Sequence, residues 1–316
     1  MPKKGKRRGE KSAASGKKSA TGGAVPSSSD FMLPKSVDEF RSQAYWDEHF
    51  RRYEDGADGG ASAAAFEWYG EWRDLAAVAS SSECGTWDRS APVLIAGCGN
   101  SRIGEEMALD GFASVTAVDY SGVVIETMAA RVAAVGLDDA LAFEQADLRS
   151  LDHADGTYAT VVDKACLDAM MADGEDAEGA ADGEAALRQM VRVLAPGGRY
   201  VCVTLAQSHV LDLLLRTFPV ASEGWSIDVH SLPNAEKLLP YVIVVTKPLG
   251  APTARPGAAR AFLPAGDPAE VLGGANADDG AIAQQLRERV VREQVSVLLC
   301  TVTLYANHAH SLTRSP

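Results

Sequence analysis

The chain has 316 residues, 46% of them hydrophobic and 23% charged, and its formal net charge at pH 7 is −13. This length supports a substantial core, the composition is that of an ordinary globular protein, and the acidic balance disfavours nucleic acid and favours basic partners. No apolar run reaches the roughly 18 residues of a membrane span, and no signal-peptide segment precedes the first elements.

The N-terminal segment 1–30 is basic, with eight lysines and arginines against Glu10 and Asp30. Because it is poor in apolar residues, we expect a disordered tail, with nuclear targeting or RNA contact as the alternative interpretation. The five cysteines include no C-x-x-C pair, which predicts reduced thiols in a cytoplasmic protein. The six histidines show no metal-ligand spacing, so we expect no metal site.

Two aromatic segments follow the tail. Residues 36–56 have the spacing of an amphipathic helix that can bury Phe40, Trp46 and Phe50. The sequence FEWYGEWRDL, which contains Trp68, forms a second aromatic helix or turn. We therefore predict an N-terminal helical cap over the rest of the fold.

The stretch VLIAGCGNS begins at Val93 and contains Gly97 and Gly99. Four apolar residues predict a buried strand, followed by a sharp turn and a helix that begins near Ser101. Glycines are needed where the backbone approaches a ligand that a Cβ would strike. The stretch therefore predicts a ligand-binding turn.

Strands and helices alternate from Val93 onward. We predict strands near 93–96, 115–119, 141–146, 159–163, 199–205, 225–232 and 241–247, and helices near 101–110, 121–135, 184–194 and 207–217. Alternation of this kind predicts an α/β fold with a Rossmann-like, doubly wound sheet. We expect seven strands, six of them parallel and one an antiparallel edge strand.

Two acids follow the second and third predicted strands. Asp119 lies 20 residues after Gly99 and suits a carboxylate that accepts hydrogen bonds from ribose hydroxyls. Asp147 can accept from an adenine amino group. A dinucleotide loop needs a third glycine where this chain has Arg102. The pattern therefore favours S-adenosylmethionine over NAD.

Three further segments complete the chain. The acidic stretch 173–184 is interpreted as a solvated loop, with a docking rim for a basic substrate as the alternative. Residues 249–280 are rich in Pro, Gly and Ala and resemble a linker. The segment 281–316 is predicted to hold a helix near 281–299, because Ile282, Leu286 and Val290 recur at i+4 spacing.

The chain resembles methyltransferases of elongation factor 1-alpha, and most of all the lysine-methylating domain of the methyltransferase-like thirteen type. The motifs that carry the resemblance occur in the family's order: YWDEHF, FEWYG, VLIAGCGNS, VDYSGVVIETM, VVDKACLDAMM and LAPGGRYVCVTLAQ. They cover about residues 33–248, which implies a class I methyltransferase domain over 31–248. Dual-domain relatives carry a second such domain, and because no second Gly-x-Gly unit follows, we expect that second activity to be absent.

Gly99 of the ligand-binding turn is a predicted cofactor contact, and the resemblance implies nine more. They are Trp46, Phe50, Trp68, Gly97, Asp119, Tyr120, Asp147, Leu148 and Lys164. Relatives often have Tyr at position 50 and DKGTLDA where this chain has DKACLDA. Both differences alter the expected pocket wall. Plain packing is the alternative role for Trp46 and Trp68, as helix capping is for Asp119 and a turn position for Asp147.

Asp163 and Lys164 end the fourth predicted strand, where the active sites of open α/β sheets lie. We predict both as catalytic residues, Asp163 to orient an incoming amine and Lys164 to contact cofactor or substrate. The alternative for Lys164 is an ion pair with Asp163 or Asp168. The chain has DKAC where adenine and glutamine methyltransferases have Asn/Asp-Pro-Pro-Tyr/Phe, which disfavours methylation of bases.

Three classes of function are compatible with these motifs. The resemblance favours a protein-lysine methyltransferase whose partner is a basic protein, elongation factor 1-alpha, rather than nucleic acid or a membrane. A small-molecule or other methyltransferase is the second class. A non-catalytic adaptor that keeps the fold is the third, and Gly97, Gly99, Asp119 and Asp147 argue against it.

Overall fold

The computed structural model describes residues 34, 36–55, 67–79, 86–174, 176–232, 240–250, 257–263, 270–273 and 277–294. All of them belong to a compact unit that spans Pro34–Pro316. The predicted basic tail lies outside the described residues, as do Cys84, Cys300 and Glu175. No helix among the described residues is long and apolar enough to cross a membrane.

Helices lie between most of the strands from residue 93 to residue 231, as the sequence predicts. A 3-10 helix at Val37–Arg41 precedes α1 (Gln43–Asp55), α2 (Trp72–Ala79), α3 (Ile103–Leu109), α4 (Gly122–Val135), α5 (Cys166–Met170), α6 (Ala177–Val193), α7 (Ser208–Thr217), α8 (Val220–Glu223) and α9 (279–294). The strands are β1 (Val93–Ala96), β2 (Val115–Asp119), β3 (Leu141–Gln145), β4 (Tyr158–Lys164), β5 (Leu194–Thr204), β6 (Ser226–Ser231), β7 (Tyr241–Thr246), β8 (Ala259–Phe262) and β9 (Glu270–Leu272).

The described strands form one sheet in the order β3-β2-β1-β4-β5-β7-β6-β8-β9. Neighbours from β3 to β5 are parallel, and β7 is antiparallel to both β5 and β6. The predicted count of seven strands is therefore wrong, because the described residues alone contain nine. The reversed strand β7 is also not at an edge, since β6 lies outside it.

Strands β8 and β9 lie within 249–280, the segment interpreted as a linker. β8 pairs in parallel with β6, from Ile227 opposite Ala259 to His230 opposite Phe262. Ala259 and Ala261 are buried, so alternate residues of this short strand face the core. The Pro- and Gly-rich composition around β8 conceals this alternation in the sequence.

Helices cover both faces of the sheet. Along β1, Val93 and Ile95 join the apolar cluster packed with α2, α3 and α4, whereas Leu94 and Ala96 join the cluster packed with α5, α6, α7 and α9. Both faces of a central parallel strand are therefore apolar, as expected when helices pack on each side. The structure confirms the predicted α/β, Rossmann-like arrangement.

The acidic stretch 173–184 is helical from Ala177 onward, so its interpretation as a loop is wrong. The carboxylate of Asp176 accepts hydrogen bonds from the backbone N–H groups of Glu178 and Gly179 at 3.0 and 3.1 Å. An aspartate in this position satisfies backbone donors at the start of a helix. The cap explains how a Gly-rich acidic segment forms the first turns of α6.

Candidate active site

A cavity of about 330 Å³ lies at the carboxyl edge of the sheet. This edge is where open α/β sheets bind ligands, and the volume lies within the usual range of about 300–1,000 Å³ for ligand pockets. The structure brings ten sequence-predicted cofactor residues to the wall of this cavity. They are Trp46, Phe50, Trp68, Gly97, Gly99, Asp119, Tyr120, Asp147, Leu148 and Lys164.

Glycines at 97 and 99 form the turn after β1, with φ angles of +64° and +50°. These are left-handed conformations that glycine adopts readily. A Cβ on Gly97 would overlap the Sγ atom of Cys166, whereas a Cβ on Gly99 would make an ordinary contact, 3.6 Å from Phe50. Cys166 therefore leaves no room for a side chain at position 97, whereas a Cβ fits at position 99.

Replacing Gly97 by alanine is expected to reduce stability and cofactor affinity more than replacing Gly99 does. Both changes impose left-handed backbone strain of about 1–2 kcal/mol, and only Gly97→Ala adds the overlap with Cys166. Urea unfolding and calorimetric titration with cofactor, run on both variants, measure the difference. Equal losses in the two variants would contradict this account.

Asp119 ends β2 and is 7% exposed. Its Oδ2 accepts a hydrogen bond from the N–H of Gly99 at 3.0 Å, and its Oδ1 accepts one from the N–H of Ser121 at 2.9 Å. Burial raises its pKa to about 6. A carboxylate has about four acceptor positions, so this side chain retains capacity for donors in the cavity.

Asp147 follows β3 and forms an ion pair with Arg149 at 2.7 Å. Hydrogen bonds from Arg149 lower the pKa of Asp147. Arg149 also contacts Asp182 of α6, and Arg41 contacts Asp176 at the start of the same helix. Both arginines line the cavity, so acidic residues of the 173–184 segment contact two arginines of the cavity wall.

The aromatic side chains of α1 pack against one another and also face the cavity. The Trp46 indole N–H donates to the Phe40 carbonyl oxygen at 2.8 Å, and its ring stacks on Phe50 with centroids 5.7 Å apart. Both rings also line the cavity. Asp47 of the same helix accepts a hydrogen bond from the Ser121 hydroxyl at 2.5 Å, which ties α1 to the end of β2.

Lys164 forms an ion pair with a partner that neither sequence alternative named. Its Nζ lies 3.0 Å from a carboxylate oxygen of Glu67 and donates to the Trp68 carbonyl oxygen at the same distance. Burial lowers the pKa of Lys164, and the Glu67 charge opposes that shift. Glu67 also accepts hydrogen bonds from the Ser101 hydroxyl and the Arg102 N–H, each at 2.6 Å.

Asp163 is the one predicted catalytic residue that does not line the cavity. Its carboxylate accepts hydrogen bonds from the backbone of Cys166 and Leu167 and from the Tyr200 hydroxyl. Burial raises its pKa to about 7. The side chain therefore caps α5, and its contacts point away from the role of orienting an amine.

Several wall residues escaped the sequence analysis as site residues, among them Tyr69, Asn100, Ser101 and Asp168. Tyr69 has φ +64°, an unusual value for a residue with a side chain. The side-chain amide N–H₂ of Asn100 is buried and has no hydrogen-bond partner among the described residues. Both residues belong to quoted motifs, FEWYG and GCGNS, and their place in those motifs was the available signal.

Comparison with known proteins identifies a methyltransferase domain in this chain. A family model described as "Methyltransferase domain" matches residues 93–198. The crystal structure of the cyclase SpnF has a TM-score of 0.51 at 16% identity and covers 67% of this chain and 97% of that chain, which shows the fold alone.

Curated relatives define the family. The "eEF1A lysine and N-terminal methyltransferase" of Danio rerio is 35% identical over 228 residues, covering 68% of this chain and 29% of the relative. "EEF1A lysine methyltransferase 4" of Mus musculus is 36% identical over 200 residues, covering 62% of this chain and 72% of the relative. The chain belongs to the family of S-adenosylmethionine-dependent methyltransferases that contains these eEF1A lysine methyltransferases. It matches only 29% of the length of the first relative.

Proposed function

We propose that the chain is an S-adenosylmethionine-dependent protein-lysine N-methyltransferase that acts on eEF1A. The observation that carries the proposal is the 36% identity to a relative with that printed activity, across 72% of the relative's length. The convergence of the ten predicted residues on one cavity supports it. The acidic composition of the chain suits a basic protein substrate.

The chemistry of the cavity wall fits this cofactor. We assign Asp119 to the ribose hydroxyls and Asp147 to the adenine amino group, because carboxylates accept hydrogen bonds from such donors. The buried amide of Asn100 lacks an acceptor among the described residues, and the cofactor's carboxylate has the acceptor oxygens it needs. The aromatic faces of Trp46 and Trp68 suit a sulfonium cation.

When bound, S-adenosylmethionine supplies a methyl group on a sulfonium sulfur. The contribution of the protein is to align the substrate nitrogen with that methyl group and to exclude water. A lysine amine has an ordinary pKa of about 10.4, and its transfer from water into a buried cavity lowers the pKa. We therefore assign no general base. We also propose that the N-terminal helices act as a cap, since α1 contributes Trp46 and Phe50 to the wall.

The compartment we propose is the cytoplasm. Cys98, Cys166 and Cys202 are free thiols, and such cysteines are typical of reducing compartments.

Incubation of the full chain with recombinant eEF1A and isotope-labelled cofactor is expected to label one or more lysines. Mass spectrometry of the factor locates the modified residue and its methylation state. Asp119→Ala enzyme at a low cofactor concentration serves as the control and is expected to label weakly. Label found only in small molecules or nucleic acid, with eEF1A unmodified, would refute the proposal and favour the second class of methyltransferase.

A further inference from the structure

One end of the cavity has no role in the cofactor contacts assigned above. In the sheet order, β4 and β5 lie beside β1 on the side away from β2 and β3. Residues that follow β4 and β5, including Asp168 and Leu205, line this part of the cavity together with Tyr69. Because Asp119 and Asp147 lie at the opposite end, we call this part the acceptor end.

Asp168 is buried at the acceptor end, where two groups at the end of β5 donate to its carboxylate. The Thr204 hydroxyl donates to Oδ1 at 2.5 Å, and the backbone N–H of Leu205 donates to Oδ2 at 2.9 Å. The Tyr69 side chain lines the same part of the cavity, and its hydroxyl interacts with this carboxylate. Since Thr204 and Leu205 lie at the end of β5, the sheet itself fixes the carboxylate that binds the phenol.

The orientation of the phenol proton determines what Tyr69 can bind. A tyrosine hydroxyl has one proton and also accepts hydrogen bonds. With its proton directed to Asp168, the oxygen can only accept from a further group in the cavity. A primary amine has N–H donors together with one lone pair, so it is a suitable ligand for this oxygen.

The segment that carries Tyr69 contacts the protein at two places, the end of β4 and α5. Glu67 and the Trp68 carbonyl group bind Lys164 at the end of β4, and Tyr69 itself binds Asp168. Tyr69 adopts its left-handed conformation within this set of contacts. Strained residues persist where the surrounding structure over-determines them, and they cluster at functional sites.

We propose that the Tyr69 phenol oxygen accepts an N–H from the substrate amine and so aims its lone pair at the methyl group, and that Asp168 is a positioning residue that fixes the phenol. The inference rests on the proposed function. In the transfer, the nitrogen lone pair forms the new bond to carbon, the electron pair of the carbon–sulfur bond returns to sulfur, and the methylated ammonium releases a proton to solvent. Tyr69 replaces Asp163 as the residue that orients the amine.

The test compares Tyr69→Phe with Tyr158→Phe in the full chain. Tyr158 is a matched control because it lies at the start of β4, outside the cavity. Its hydroxyl also has a side-chain partner, His153. With saturating cofactor and eEF1A as substrate, Tyr69→Phe is expected to lower kcat about 10- to 100-fold, the order expected when a reacting group loses its orientation. Calorimetry is expected to give a cofactor Kd within twofold of the wild type, and Tyr158→Phe is expected to retain the wild-type kcat.

A second variant separates positioning from a purely structural role. If Asp168 acts through the phenol, then Asp168→Asn lowers kcat in the wild-type background and changes kcat less than twofold in the Tyr69→Phe background. Additive losses would overturn the positioning role of Asp168. Wild-type kcat in Tyr69→Phe, or a loss of cofactor affinity equal to the loss of kcat, would overturn the inference about Tyr69. If correctly folded wild-type enzyme leaves eEF1A unlabelled, that result would instead overturn the proposed function and the inference with it.

Discussion

Replacing Lys164 by methionine is expected to destabilise the folded protein by about 3 kcal/mol, near the lower limit for breaking a buried ion pair. The side chains of Lys164 and Glu67 are 5% and 16% exposed, so Glu67 would keep a buried charge without its cation. The hydrogen bonds from Ser101 and Arg102 to Glu67 remain and reduce the cost. Urea unfolding without cofactor isolates this effect from any effect on binding.

The matched control is the double variant Lys164→Met with Glu67→Gln. Because it removes both charges, it is expected to be more stable than Lys164→Met alone. The remaining loss reports the hydrogen bond that Lys164 donates to the Trp68 carbonyl group. An unfolding midpoint for Lys164→Met equal to that of the wild type would show that the pair does not stabilise the fold.

Replacing Asp119 by alanine is expected to weaken cofactor binding by about 1.5–3 kcal/mol, the range for hydrogen bonds to a charged group. This corresponds to about a 10- to 150-fold rise in Kd. The change also removes the acceptor of the Gly99 and Ser121 N–H groups, which loosens the turn beside the ligand. Calorimetric titration of both proteins at pH 7.5 measures the effect.

The same residue predicts how binding depends on pH. The pKa of Asp119 is about 6 in the free protein, and hydrogen bonds from ribose hydroxyls stabilise its charged form. Affinity is therefore expected to be constant well above pH 6 and to fall as the pH drops below 6, by at most tenfold per pH unit. Asp119→Asn is neutral throughout and is expected to lose this slope, whereas a flat wild-type profile from pH 5 to 7.5 would contradict the assignment.

Local sequence patterns were sufficient to predict the first seven strands and to predict that Gly97, Asp119 and Asp147 meet at one cavity. β1 and β2 begin and end where predicted, because short apolar runs are bounded there by Gly97 and Asp119. Because parallel strands of one sheet share an edge, the order of these strands in the chain was enough to predict that their carboxyl ends lie together. The resemblance added the cofactor contacts expected of Trp46 and Lys164, a role that the periodic patterns alone do not assign.

The errors arise where long-range contacts decide the structure. The ion pair of Lys164 with Glu67 joins residues 97 positions apart, and the sequence offered only nearby acids as partners. Asp163 lies next to the last residue of β4, at the expected edge, but its side chain binds the α5 backbone and Tyr200. Strand β8 forms because β6 offers an edge to pair with. A four-residue stretch of alternating small side chains does not reveal this pairing in the sequence.

Strands β8 and β9 determine what the protein presents to other chains at the far edge of its sheet. Without them, β6 would display unpaired backbone groups, which form a template for aggregation. β8 covers β6 from Ile227 to His230, and the next strand outward, β9, is only three residues long and carries the exposed Glu270. A recombinant fragment that ended at residue 248 would lose this protection and would leave uncovered the apolar surface that Leu286 and Val290 bury.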